Sequence, residues 1–190
     1  MSVLRMTTNV QAWRLLQADS PPGGACVREA APLVIPLVAP LDWPQDRGGD
    51  SKSVEGAIED LARCCGLRPA GLLAECASRP GRRVHAWLAV DRAEFASVSG
   101  VVGQGGAQAA AAAGVILLLE SSPRGGSLPR LSIPWLLVRP DRRRLGVGRL
   151  LVAAAIDHAW GLGASQVSID TLDRWPEAVA FWRGMGFSSN

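Results

Sequence analysis

From Leu131 onward the chain alternates between apolar runs of strand length and apolar residues at helical spacing, so this half predicts its elements directly. Leu131–Val138 is a strand that Pro140 ends. Gly146–Trp160 repeats Leu150, Leu151, Ala154, Ala155 and Ala159 on one helical face. Gln166–Asp170 is the next strand, and Pro176–Arg183 is a last helix opened by its proline. Upstream the pattern is coarser. Val54, Ile58, Leu61 and Cys65 recur at helical spacing behind Ser53, a candidate cap; Gly66 and Pro69 mark a break before a second helix through Leu72, Leu73 and Cys76. Arg83–Val90 alternates as a strand, and Ala96–Val102 or Gly114–Glu120 supplies another. The alanine tract Ala107–Ala113, flanked by glycines, reads as a low-complexity insertion in a strand connection. Residues 1–53 are punctuated by proline and glycine clusters at Ser20–Gly24 and Asp46–Asp50. The expectation is a poorly ordered extension over residues 1–25 and a single α/β domain over 26–190.

The junction Val138-Arg-Pro-Asp-Arg-Arg-Arg-Leu-Gly-Val-Gly-Arg-Leu-Leu151 carries the clearest chemistry. A strand runs into a glycine-bearing turn and then directly into a helix. The first helical turn leaves backbone N–H groups without partners, and the peptide dipoles add positive potential, so an anion is favoured there. Gly146 and Gly148 would let phosphate oxygens approach those amides, with Arg142, Arg143, Arg144 and Arg149 as cationic donors around them. Two rival phosphate motifs fail on spacing. A dinucleotide turn needs a third glycine where Leu151 stands, and a triphosphate loop needs a lysine, whereas Lys52 is the only one in the chain.

The same stretch resembles the GNAT acyltransferases, whose cofactor motif is a strand ending V-x-P followed by [R/Q]-x-x-G-x-[G/A]. Here Val138-Arg139-Pro140 precedes Arg143-Arg144-Leu145-Gly146-Val147-Gly148, and Ala178-Val-Ala-Phe-Trp-Arg-Gly-Met-Gly-Phe187 resembles the family's closing A-x-x-[F/L]-Y-x-x-x-G-F signature. The two pieces span Leu131–Phe187 in the family's order. The resemblance implies a GNAT fold: a mixed, mostly antiparallel sheet of about six strands, splayed in the middle and flanked by helices. It also implies acetyl-CoA as co-substrate, with the pantetheine arm bonding to Leu136, Leu137 and Val138 and the pyrophosphate on the amides of Arg144–Arg149. An amine acceptor would attack the thioester directly, with a base to take its proton.

Three departures qualify that picture. Trp182 stands where the family commonly has a tyrosine acid, and the chain contains no tyrosine, so packing with Phe181 and Phe187 is the expected role. Trp175 replaces an asparagine near the start of the last helix. Relatives that acetylate protein N-termini have a carboxylate five residues before that asparagine, which makes Asp170 the candidate base; Glu120 is a weaker candidate. His158 receives no role. The chain also stops three residues past Phe187, so the final strand is expected short or missing. A missing strand would leave Gln166–Asp170 with an open edge that invites a homodimer.

Composition limits the alternatives. The net charge of +3 is small and scattered, which argues against nucleic acid as partner. Cys26, Cys64, Cys65 and Cys76 form no C-x-x-C pair and share no ligand spacing with His85 and His158, so no metal is expected. The cysteines read as small core residues in a reducing cytoplasm. The longest apolar run, Ala109–Leu119, is too short for a bilayer. The expectation is a cytoplasmic N-acetyltransferase acting on a primary amine of a small molecule or protein. The alternative is a GNAT-like module that binds acyl-CoA without efficient turnover.

Overall fold

The computed structural model describes residues 2–13, 33–41, 49–67, 82–91, 94, 111–121 and 129–189. Its strands are β1 (Val3–Asn9), β2 (Leu33–Leu41), β3 (Arg82–Val90), β4 (Ala112–Ser121), β5 (Arg130–Val138), β6 (Gln166–Leu172) and β7 (Ser188–Ser189). The helices are α1 (Gly49–Cys64), α2 (Val147–Gly161) and α3 (Pro176–Gly184), with a 3-10 turn at Pro140–Arg142 before α2. The strands form one sheet in the order β2-β3-β4-β5-β6-β1-β7. Only β5 and β6 run parallel.

Each face of the sheet carries its own core. Val84, Ala86 and Leu88 of β3 and Val115, Leu117 and Leu119 of β4 pack with Ile58, Leu61 and Ala62 of α1. The alternate residues Trp87, Ala89, Ile116 and Leu118 face α2, where Leu151, Val152, Ala155 and Ile156 join them in a second core. The period of two along each strand thus separates the layers. β4 is buried from Ala112 to Glu120, which explains why it reads as one continuous apolar run. It includes Ala112 and Ala113, so the end of the tract expected to be an insertion is core strand.

Several expectations shift. Residues 3–9, placed in the N-terminal extension, form β1, which pairs with β6 along its whole length, from Val3↔Leu172 to Asn9↔Gln166. β7 is short, as expected, and it pairs with β1 through Met6↔Ser189 and Thr7↔Ser188. The edge of Gln166–Asp170 is therefore not open: β1 fills it. β2 tolerates Pro36 and Pro40 because, among the described strands, it is a sheet edge and pairs only with β3. α1 starts at Gly49, so Ser53 is inside the helix rather than its cap. The expected second helix near Leu72–Cys76 and the candidate strand Ala96–Val102 lie outside the described residues. In α2 the buried side is Val147, Leu151, Val152, Ala155, Ile156 and Ala159, with Leu150 turned outward.

β5 carries the irregularity that shapes the site. Its register with β4 shifts between Leu117↔Trp135 and Leu119↔Ser132, so Ile133 and Pro134 together oppose Leu118. This is a one-residue bulge, and a proline without an N–H is tolerated there. The bulge flips the facing of the strand. Leu131 and Ile133 face α2 before it, whereas Trp135 and Leu137 face α1 after it. The parallel pairing with β6 also stops there, at Ile133↔Ile169.

Candidate functional site

β5 and β6 part beyond Ile133 and Ile169, and the split opens toward the end of β5 that leads into the glycine turn. Leu136, Leu137 and Val138 pair in register with Ile116, Val115 and Gly114 of β4 on one edge. Their other edge has no β6 partner in the register. The Val138 carbonyl is engaged otherwise: Arg143 Nε donates to it at 3.2 Å and the Cys65 thiol at 3.5 Å.

The turn itself has the backbone that the glycine spacing suggests. Gly146 is the N-cap of α2 at φ 83°, with no side chain capping the helix. The amides of Val147, Gly148 and Arg149 therefore begin the helix without intrahelical acceptors. Arg144 also lies in the left-handed region, at φ 63°, uncommon for a residue with a β-carbon. A β-carbon at Gly146 would meet nothing within 4 Å, so its need for glycine is its positive φ rather than lack of space. A β-carbon at Gly148 would lie 3.3 Å from the Phe181 ring and 3.7 Å from Val138, so the absent side chain lets α3 pack closely against this turn. Val147 is buried and offers only its backbone, while Leu145 is 62% exposed.

The arginines divide into two groups. Arg139 and Arg142 are held by acids: both reach Glu94, Arg139 also bonds to Asp141 at 2.8 Å, and Arg142 lies 3.3 Å from Asp91. The pairing with Arg139 holds the Glu94 carboxyl below its usual range and the Asp141 carboxyl down at about 2. Arg142 is thus spent on anchoring the turn, contrary to its expected place among the phosphate donors. Arg143 bends back onto Val138. Arg144 and Arg149 are exposed and make no ion pair among the described residues.

Asp170 sits on the α1 side of β6, next to the split. Its carboxylate accepts two bonds from Arg5, at 2.8 and 3.1 Å, and that guanidinium holds it below the ordinary carboxylate range. It lines a cleft of about 630 Å³ together with Arg5, Arg82, Arg130, Ser132 and Ser168. Pro134 and Trp135 also line it, Trp135 turned to this side by the bulge. Sequence reasoning missed these residues except Asp170, and a proline inside a strand was the one available signal.

Glu120 cannot act in this cleft. Leu119 and Ser121 line it, so Glu120 between them points through the sheet, where its Oε2 lies 3.0 Å from His85 Nε2. His158, in the last turn of α2, packs against His85 with ring centroids 4.4 Å apart and against Trp87 at 5.2 Å. Its Nε2 is buried without a partner among the described residues. Burial, then the neighbouring His85, lowers its pKa below 6.5, while Glu120 opposes them. The unfolded chain therefore takes up this proton first as pH falls. The stability that neutral His158 contributes is complete above about pH 6.5 and is lost below it. A His158→Phe variant is expected to lose less of its urea midpoint than the native chain between pH 6.5 and 5; identical slopes would refute this.

Trp182 is buried between Phe181 and Phe187, with ring centroids 5.2 and 5.0 Å away in edge-to-face geometry. Trp175 is exposed at the N-cap of α3, with the Arg174 guanidinium 5.7 Å over its ring. No group of histidine, cysteine and carboxylate side chains among the described residues could hold a metal ion. No helix among them is long and apolar enough to cross a membrane.

The described strands form one mixed α/β sheet split beside an uncapped, glycine-led helix. Residues 58–187 match the Acetyltransferase (GNAT) family, and the chain belongs to it. Among solved structures, it is similar to a tandem GNAT protein from the clavulanic acid biosynthesis pathway. The identity is 15%, the TM-score 0.59, and coverage 98% of this chain and 50% of that one. The chain thus spans half the length of that relative. A GNAT-family acetyltransferase from Desulfovibrio desulfuricans has 16% identity and TM-score 0.55, covering 84% of this chain and 87% of its own. An aminoglycoside acetyltransferase from an uncultured soil metagenomic sample has 13% identity and TM-score 0.53, covering 81% and 86%. These likenesses establish the fold. No curated protein matches the sequence.

Proposed function

We propose that this chain is an N-acetyltransferase that moves an acetyl group from acetyl-CoA directly to a primary amine of a small molecule or protein. One observation carries the reading: the split between β5 and β6 opens beside the free amides that follow Gly146. Acetyl-CoA fits this arrangement, because a diphosphate needs amides and cations while an extended arm needs an unpaired strand edge. The backbones of Arg144, Leu145, Gly146, Val147, Gly148 and Arg149 would hold the diphosphate, with the side chains of Arg144 and Arg149 as cationic donors. Leu136, Leu137 and Val138 would hold the arm by their free edge. The bound group supplies an activated acyl thioester; the protein's part is to orient it and to receive the acceptor's proton. Asp170 is the polar group placed for the second task. Because Arg5 weakens it as a base, its role is to orient the acceptor nitrogen and pass the proton to water. The free thiols Cys64 and Cys65 fit a reducing, cytoplasmic setting.

A second reading, a module that binds acyl-CoA without efficient turnover, is favoured by Trp182, which puts buried indole where the family has a phenol. Calorimetry with acetyl-CoA, combined with thiol release over a panel of amines, separates the two. Binding without amine-dependent release of CoA selects the module. In Gly146→Val, a β-branched residue must occupy the left-handed region at a cost of about 1–2 kcal/mol. The amides should turn away, and acetyl-CoA affinity should fall about tenfold or more. Unchanged affinity would place the phosphates elsewhere.

A further inference from the structure

Among the described residues, the cleft beside Asp170 holds more positive charge than its acids balance. Arg82 of β3 and Arg130 of β5 both pair in register with Ser121 of the strand between them, so they flank it in one cross-strand row. Both side chains line the cleft. The two strands are about 10 Å apart, and neither guanidinium has an ion pair or hydrogen bond among the described residues. The other arginines near the site behave differently: Arg5 is engaged by Asp170, and Arg139 and Arg142 by Glu94 and Asp141. Asp170 is the one carboxylate among the described residues lining the cleft, against three guanidinium groups. Two unpaired like charges in a shared recess repel each other until an anion enters between them.

We infer that the acceptor carries an anionic group, a carboxylate or a phosphate, held between Arg82 and Arg130 while its amine lies beside Asp170. This rests on the acyltransferase reading above, which puts the reacting nitrogen at the split. Strand geometry sets the spacing. Ser132 and Ser168 are opposite each other in the parallel pair. Arg130 lies two residues back along β5 and Asp170 two residues on along β6, so their α-carbons are separated by about 13 Å along the strands. Even with the reach of an arginine, the anion and the amine stand several bonds apart. An α-amino acid, with its carboxylate two bonds from the nitrogen, is too short to meet both ends. A chain of the length of 6-aminohexanoate spans them, and the Ser121 and Ser132 hydroxyls offer further donors along the way.

The test compares 6-aminohexanoate, 6-aminohexyl phosphate, hexylamine and 1,6-diaminohexane as acceptors, following CoA release. The anionic acceptors should exceed hexylamine in kcat/KM by about tenfold or more, and the diamine should be poorest. Whichever anion gives the larger ratio identifies the natural headgroup. In Arg82→Gln and Arg130→Gln the ratio of anionic to neutral acceptor should fall toward one through KM, and the lysine variants should restore part of it. Equal use of hexylamine, or ratios untouched by the substitutions, would overturn the inference. A second measurement is independent of turnover: inorganic phosphate or glutarate should raise the thermal midpoint of the native chain and not that of the Arg82→Gln/Arg130→Gln double variant. If no acceptor releases CoA but this difference is present, the acyltransferase reading fails and the anion site stands. If the difference is absent, the site fails whatever the turnover.

Discussion

A Gly114→Val chain is expected to melt roughly 6–12 °C below the native protein, a loss of about 3 kcal/mol. A β-carbon at Gly114 would lie 2.8 Å from the Leu137 carbonyl oxygen, 3.1 Å from Val147 and 3.2 Å from Leu151. The first of these is backbone in the neighbouring strand and cannot swing aside. The other two belong to the first turns of α2, so the substitution pushes that helix off the sheet at the end where its amides are free. Thermal unfolding followed by circular dichroism measures the loss. A midpoint within about 2 °C of the native one would show that the helix start is not seated as closely as described. In a variant that still folds, acetyl-CoA affinity should fall as well, because the turn moves with the helix.

The second large effect concerns Asp170. Asp170→Asn is expected to lower kcat/KM by roughly 100-fold, the range in which removing a proton acceptor is felt. Arg5→Gln provides the sign. Arg5 holds the Asp170 carboxyl below its ordinary range, so the carboxylate is ionised down to lower pH than an isolated aspartate. Without Arg5 the acid limb of the pH profile should move to higher pH. Folding stability should hardly change, because the pair is exposed and such pairs contribute little. An acid limb that stays in place in Arg5→Gln would remove Asp170 from the reaction.

The legible part of this protein was the part whose signals are local. The strand ending at Val138, the turn at Gly146 and the helix behind it are contiguous, so spacing alone located them. The closing Phe181–Phe187 segment likewise revealed its packing, because three aromatic residues near a chain turn seek one another. What escaped had distant or inverted signals. Arg5 and Asp170 are 165 residues apart, and nothing in either neighbourhood announces the other. β2 was hidden by Pro36 and Pro40, which forbid a central strand but not an edge. His158 escaped because α2 is apolar on most of its surface, so its buried side could not be told from its exposed one. The face chosen from the sequence included Leu150, which points outward. Pro134 was overlooked although a proline within a strand is itself the mark of a bulge, and here the bulge begins the split.

The place of β1 has a consequence for how the protein is made. β1 leaves the ribosome before the other strands described, yet both its neighbours, β6 and β7, are synthesised last. Until they appear it has no lateral partner, and its backbone donors must wait in water or with a chaperone. The strand that borders the cleft beside Asp170 is therefore completed by the longest loop closure among the described strands, a slow and entropically costly event. Maturation of the cleft should be the final stage of folding, after the β3-β4-β5 body is already compact.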